Sequence, residues 1–305
     1  MIKRVLITGA TGLIGTELVK QCHSEGIAVN YLTTSKEKIE NTDNYRGFYW
    51  NPQNGELDKE AFKDAEAIVN LVGATIAKRW TKSYKKVILE SRIESMNLLY
   101  KTLQEIEHSI VHFISASGIN IYPHSETKLY TEEDQEVGDT FLAEVVVAWE
   151  AAAAQFKGLG MGMEVSKVRT GMVLAKDDGA MPKLVKPIKY GLGAPLGNGN
   201  QWQSWIHLED VAGIYLFLLK NQIEGKFNAV APNPVVNKRM TKMIAAKLDA
   251  PLWLPNIPGF VLKLILGEMA VLLLEGQLVS SHKLEELGYH FKYYNLENAL
   301  NNLLQ

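Results

Sequence analysis

The chain has 305 residues, 47% of them hydrophobic and 22% charged, with a formal net charge of -2. Such a composition supplies a large core in one big domain or in a domain with an appended lobe, and the near-neutral balance offers no electrostatic footprint for nucleic acid. The single cysteine, Cys22, excludes an intramolecular disulfide and a cysteine-based zinc site. No other metal-ligand spacing is present.

The first predicted strand begins almost at the N-terminus, at Val5-Leu6-Ile7. It leaves no room for a signal peptide, and a reducing cytoplasm is the expected location. Directly behind it stands Gly9-Ala10-Thr11-Gly12-Leu13-Ile14-Gly15, followed by the start of a helix at Leu18-Val19. A strand that breaks into three glycines and then a helix brings backbone amides and a helix N-terminus against a pyrophosphate, where no Cβ can intervene. A nucleotide cofactor is therefore expected. About 20 residues beyond the glycines, NAD-specific folds place a carboxylate on the ribose 2′-hydroxyl. This chain has Thr33-Thr34-Ser35-Lys36 there, and no carboxylate until Glu37. Hydroxyls and a lysine accept a 2′-phosphate, so NADP(H) is favoured over NAD(H).

Apolar runs at 27–32, 67–72, 110–114 and 165–168 read as further strands buried on both faces and separated by helix-length segments. This is the α/β pattern of a Rossmann-type doubly wound parallel sheet. Residues 81–106 are helical in period, with Ile88, Met96, Leu99, Leu103 and Ile106 on one stripe and Arg92 inside it. A cation on an apolar face needs a partner, and a structural salt bridge or a ligand contact would serve. Beyond Arg169, glycines and prolines crowd the chain, which suits a smaller C-terminal α+β lobe. The expected division is a cofactor domain at 1–170, rejoined by about 204–225 through a helix that Asp210 caps, and a substrate lobe at 171–203 and 226–305. The apolar stretch 260–274 is too short to span a bilayer. It reads as a buried helix or part of a subunit contact, leaving a homodimer open.

Several segments match a known family together. They are Gly9 to Gly15, Asn70-Leu71-Val72-Gly73, Arg79-Trp80-Thr81, Ser91-Arg92-Ile93, Arg169 to Leu174, Trp205-Ile206-His207 with Asp210, and a tail carrying Gly267-Glu268, Gly276-Gln277 and Gly288-Tyr289. Over essentially its whole length the chain resembles the extended short-chain dehydrogenase/reductases, and within them the atypical subgroup called epimerase family proteins. The resemblance implies that Gly9, Thr11, Gly12, Leu13, Ile14 and Gly15 cradle the pyrophosphate of NADP(H), and that Thr34, Ser35 and Lys36 meet the 2′-phosphate. It puts Val72 and Gly73 beside the ribose, Ser115 and Ala116 on the nicotinamide side, and the segment from Gly171 and Met172 to Leu174 past the carboxamide, with Arg169 among the cofactor-binding residues and a possible recognition group for an anionic ligand. Arg79, Trp80, Arg92 and Trp205 become candidates for binding an anionic or nucleotide-linked small substrate.

The wider superfamily moves a proton with a Tyr and a Lys four residues later on one helix face. With Glu150 aligned to the acidic residue that commonly follows, those positions fall on Leu142 and Val146, which cannot transfer a proton. Ser117 and Tyr122 are the substitutes to consider, ahead of His124 and Glu144. Two functions stay open: an NADP(H)-dependent oxidoreductase or nucleotide-sugar-epimerase-like enzyme with a nonstandard proton donor, and a non-catalytic NADP(H)-binding regulatory or structural module.

Overall fold

A computed structural model describes residues 2–160 and 162–305. Its frame is an eight-stranded sheet of β1 (Arg4–Thr8), β2 (Ala28–Thr33), β3 (Tyr45–Asn51), β4 (Glu56–Leu57), β5 (Ala67–Asn70), β6 (His112–Gly118), β7 (Glu164–Thr170) and β8 (Gly225–Ala229). The strands lie in the order β8-β7-β6-β5-β1-β2-β3-β4. All neighbours are parallel except β4, which turns back antiparallel on β3. The order reverses between β1 and β5, the switch point at which doubly wound sheets bind ligands.

Helices cover both faces, as an all-parallel frame requires. On one face α1 (Leu13–Ser24) and α5 (Leu208–Asn221) close a core around Val5, Ile7, Val29 and Ile114. On the other, α2 (Lys82–Glu105) and α3 (Phe141–Ala154) close a core around Leu6, Ile68 and Phe113. Alternate residues of β1 thus serve opposite cores. Thr81 caps α2 by accepting from the Tyr84 amide, and Thr140 caps α3 by accepting from the Ala143 amide. Among the described residues, no side chain caps α1.

The smaller lobe is built on α4 (Met181–Lys189), α6 (Asn237–Lys247) and the terminal helix Leu296–Leu303, around Met181, Trp205, Met240 and Leu300. Two two-stranded ladders sew it to the sheet domain, Trp205–His207 with Met172–Leu174 and Leu278–Val279 with Leu129–Tyr130, and a third, Trp202–Gln203 with Val235–Val236, lies within the lobe.

Three expectations are corrected, and one strand, β3, had not been anticipated. The return to the sheet extends past residue 225, because Gly225–Ala229 is its edge strand beside β7. Strand β3 had no apolar run to announce it, since its aromatic side chains are mostly half-buried. His207 caps α5 by accepting from the Glu209 amide, and the buried carboxylate of Asp210 takes the Lys292 and Tyr293 amides at 2.7 and 2.9 Å, tying the tail to the sheet domain. Finally, the stretch 260–274 is not one buried helix. Gly267, at φ 61°, breaks it, and Phe260, Leu264 and Ile265 are exposed.

Candidate active site

The loop after β1 is shaped by its glycines. Gly9 adopts φ 71°, a left-handed conformation that side chains disfavour. A Cβ on Gly15 would lie 2.1 Å from the Gly9 carbonyl oxygen, whereas one on Gly12 would meet only that oxygen, at 3.2 Å, and otherwise open space. Gly15 therefore lets α1 sit close on the loop, and Gly12 keeps its outer surface clear. The first-turn amides of α1, from Leu13 to Gly15, have no intrahelical acceptor and no side-chain cap among the described residues. Thr11 and Gly12 lie beside them, Thr11 exposed and Gly12 open on its outer side. An uncapped positive helix end over a surface without side chains fits a pyrophosphate.

At the tip of β2, Thr33 Oγ1 accepts from the Ser35 amide at 3.2 Å, Thr34 is exposed, and the Lys36 ammonium lies 4.8 Å from the centre of the Tyr49 ring. Glu37 is closer than its place in the chain suggests, for its carboxylate accepts from Ser35 Oγ at 2.5 Å. That hydrogen bond holds the Glu37 carboxyl below the usual carboxylate range.

Beyond β5, half-buried Val72 and exposed Gly73 lead into a loop in which three successive carbonyls, those of Ala74, Thr75 and Ile76, are each held by a side chain. Arg92 Nη1 donates to Ala74 O at 3.3 Å, Tyr84 Oη to Thr75 O at 2.7 Å and Trp80 Nε1 to Ile76 O at 2.9 Å. Ser91 Oγ accepts the Ala74 amide at 2.9 Å. The expected salt bridge of Arg92 is replaced by the Ala74 carbonyl, that of Ile88 at 2.7 Å, and the Trp149 ring 4.6 Å away. Burial with no carboxylate in contact lowers the guanidinium to about 10. It also lies where a Cβ on Gly73 would be, within 2.9 Å. The Ser91-Arg92 pair thus sets the loop rather than reaching past it.

The strand ends of β6 and β7 carry a buried polar network. Ser115 Oγ donates to the carbonyl of Ala116 at 2.8 Å. Ser117 Oγ donates to Glu150 Oε1 at 2.7 Å, and Arg169 grips the same carboxylate through Nε at 2.7 Å and Nη2 at 2.9 Å. Burial acts to raise the Glu150 carboxyl, but the bond and charge of Arg169 outweigh it and hold it low. Arg169 Nη1 also donates to Tyr122 Oη at 2.8 Å, and that hydroxyl faces the Thr131 carbonyl and Asn228 Oδ1, each at 2.9 Å. Tyr122 is 1% exposed. The sequence suggests Tyr122 as a proton donor in a loop that should reach the cleft, Ser117 as a hydroxyl bonding a substrate oxygen, and Arg169 beside the cofactor. The structure instead ties all three into one ion-paired cluster, because the buried carboxylate of Glu150 demands a cation and a donor.

A cavity of about 460 Å³ opens beside this cluster, between the strand ends and the smaller lobe. Thr75, Ile76, Leu142 and Thr170 are among the residues that line it. Gly171 and Met172 line it too, where a Cβ on Gly171 would lie 2.2 Å from the Ser204 carbonyl oxygen. Trp205, expected in the cleft, is fully buried in the lobe core and donates to Asn233 O at 3.1 Å. Its neighbours Trp202, Gln203 and Ser204 line the cavity instead. Arg79 is exposed and lies outside the lining, as does Trp80, which packs edge-on against Phe141. Leu142 does face the cavity, but Val146 is buried among Ile119, Ile121 and Tyr122. Residues that sequence reasoning missed include Asn120, Thr140, Lys183, Glu275 and Gln277. Only the Gly276-Gln277 step in the tail hinted at them.

A model of the NAD dependent epimerase/dehydratase family matches residues 5–230, and a domain of unknown function matches 257–303. The chain belongs to the NAD dependent epimerase/dehydratase family. An epimerase family protein of Staphylococcus epidermidis is 34% identical across 100% of both chains, and one of Staphylococcus haemolyticus is 35% identical across 99% of each. Among solved structures, human epimerase family protein SDR39U1 (isoform 2), crystallised with NADPH, has a TM-score of 0.84 at 30% identity, covering 98% of each chain. A nucleoside-diphosphate sugar epimerase from Corynebacterium glutamicum has a TM-score of 0.78 at 31% identity. The match covers 100% of this chain and 58% of that one, so this chain spans little more than half of that protein's length.

Proposed function

We propose that the chain is an NADP(H)-dependent oxidoreductase or epimerase-like enzyme acting on a small polar substrate in the cavity beside the strand ends. The observation that carries this reading is the uncapped N-terminus of α1 over the Gly12 surface, which opens toward the same strand ends as the cavity. The human neighbour crystallised with NADPH supports the choice of cofactor. Amides of residues 12–15 would hold the pyrophosphate, and Thr34 and Lys36 the 2′-phosphate. Val72 and Gly73 would flank the ribose.

A nicotinamide cofactor bound there supplies or accepts hydride. The chain's own part is to place a substrate against it: the loop from Gly73 to Ala77 is fixed by Arg92, Tyr84 and Trp80 before any ligand arrives, and preorganised walls of this kind lower the cost of orienting substrate. Ser117 and Tyr122 are committed to Glu150 and Arg169, and act as positioning residues for the strand ends in this reading.

A second reading, cofactor binding without turnover, draws on Leu142, which lines the cavity with an alkyl group and which alignment on Glu150 would put at the superfamily's proton-donor position. A fluorescence titration with NADPH tests the shared part of both readings. A screen for carbonyl compounds that oxidise the bound NADPH separates them, because a module without turnover would leave it reduced.

A further inference from the structure

The smaller lobe carries apolar side chains that its own core does not take up. In α7 (Gly259–Leu266) only Leu262 is fully buried, while Phe260, Leu264 and Ile265 are 72%, 84% and 65% exposed. Phe260 and Leu264 stand one turn apart on the side of the helix opposite Leu262, with Val261 and Ile265 on the flank beside them. A surface helix turns its apolar stripe toward the core. This one turns it outward.

A second apolar group adjoins it. Tyr190, Leu192 and Trp253 are each more than half exposed, and a Cβ on Gly191 would lie 3.9 Å from Trp253 Nε1. The segments that carry them run together toward α7: the Gly197 amide donates to Ile257 O and the Ile257 amide to Pro195 O, each at 2.9 Å, and Pro258 then opens the helix. Soluble monomers rarely leave a group of large apolar side chains in water unless it meets a partner.

Charge in this part of the lobe shows what that partner is. Residues 181–200 and 235–266 carry eight lysines and arginines and a single carboxylate, Asp249, although the whole chain has a net charge of -2. Lys189 precedes Tyr190, Lys186 stands one turn before it, and Lys263 sits within α7; all three are exposed. The carboxylate that follows α7, that of Glu268, is taken by Lys85 of α2. Two copies meeting through this face would set like charges against each other. An acidic protein surface would answer the lysines but not the apolar side chains, which stand out from a short helix instead of lining a groove. An anionic bilayer answers both, since apolar groups enter the acyl boundary, Trp and Tyr rest at headgroup level, and lysines face lipid phosphates. Eight helical residues reach only about 12 Å, and no helix among the described residues is long and apolar enough to cross a membrane. The contact is therefore with the bilayer surface.

We propose that this part of the lobe docks the protein on an anionic lipid bilayer, with Phe260, Leu264, Ile265 and Trp253 entering the interface and Lys186, Lys189 and Lys263 facing the lipid phosphates. The inference stands apart from the chemistry of the cavity.

The full chain is mixed with vesicles of phosphatidylcholine alone and with vesicles of equal parts phosphatidylcholine and phosphatidylglycerol, and binding is read by co-sedimentation and by the blue shift of tryptophan emission. Anionic vesicles should bind at least about tenfold more tightly than neutral ones, and less so as salt rises. Phe260→Ser with Leu264→Ser should weaken that binding at least about tenfold, and Lys186→Glu with Lys189→Glu should do the same. Trp253→Phe should keep sedimentation and lose most of the blue shift. The substituted side chains are exposed, so every variant should melt as wild type does. Absence of sedimentation with anionic vesicles, equal sedimentation with both kinds, a blue shift that survives Trp253→Phe, or a fall of several degrees in the melting of the serine pair would each overturn the proposal. A concentration-dependent dimer that the serine pair dissociates, with no vesicle binding, would give the face to a second copy. Retention on immobilised poly-glutamate as strong as on anionic vesicles, and unchanged in the serine pair, would give it to an acidic protein.

Discussion

The loop proposed to hold the cofactor and the cavity proposed to hold substrate both lie at the carboxyl ends of the strands, yet they are built from different materials. The loop after β1 is a run of seven consecutive residues whose chemistry lies in backbone amides and missing Cβ atoms. The cavity is assembled from side chains of segments near residues 75, 120, 142, 171, 203 and 276, brought together by both domains. Recognition through backbone survives most changes around it and fails when a glycine is lost. Recognition through scattered side chains depends on how each segment is anchored.

The largest effects should fall on the loop, and they differ between two glycines of one motif. Gly15→Val places a side chain where even Cβ would sit 2.1 Å from a backbone oxygen, so α1 must leave the sheet. The expected outcome is loss of the folded circular dichroism signal. Gly12→Val faces open space and should stay folded while abolishing NADPH binding in a titration. A folded, binding-competent Gly12→Val would break the backbone account of this half.

Beside the cavity, Glu150→Ala leaves the Arg169 guanidinium buried without its counter-charge. Breaking a buried pair from one side typically costs about 3–5 kcal/mol, measurable as a shift in urea midpoint. Glu150→Gln should cost less, since it keeps one acceptor for Ser117 and Arg169. Equal stability of wild type and Glu150→Ala would show that the cluster does not anchor the strand ends.

His112, buried at the start of β6, offers a control remote from both sites. Its Nε2 lies 2.7 Å from Ser166 Oγ, and burial lowers it from 6.5 to about 4. A group with a depressed folded value contributes stability that is complete above pH 6.5 and is lost as pH falls toward 4. The loss amounts to roughly 3 kcal/mol. His112→Gln should flatten that part of the pH–stability curve while leaving NADPH affinity at pH 7 unchanged.

Legibility followed the same division. The glycine loop, the flanking strand and the helix α2 could be read because each is contiguous and each carries its own spacing or periodicity. Trp205 and Arg169 could not be placed correctly, since sequence does not say which face of a strand meets the cavity. Glu150 gave a usable sign: a carboxylate beside Trp149 in the apolar helix α3 requires a cation, and Arg169 is the cation that strand pairing delivers. Glu275 gave none. It reaches the cavity through the ladder that brings the tail back beside Leu129–Tyr130, and that pairing is visible only when the fold is in place.

The smallest effect concerns the 2′-phosphate, where side chains have entered the otherwise backbone-built half. Thr34 and Lys36 favour a phosphate, but Glu37 folds back on Ser35 and sets a carboxylate within the same few residues. The preference for NADPH over NADH should therefore be moderate, about tenfold or 1.4 kcal/mol. Lys36→Glu should narrow or reverse it, and Glu37→Gln should widen it by removing the opposing charge while keeping an acceptor for Ser35. Both variants should bind NADH as wild type does, because the pyrophosphate contacts come from the loop after β1. Salt provides the final discrimination: a preference made by exposed charges weakens as ionic strength rises, so the NADPH to NADH ratio should shrink between low and high salt. A ratio that ignores salt and both substitutions would place the 2′-phosphate away from the tip of β2.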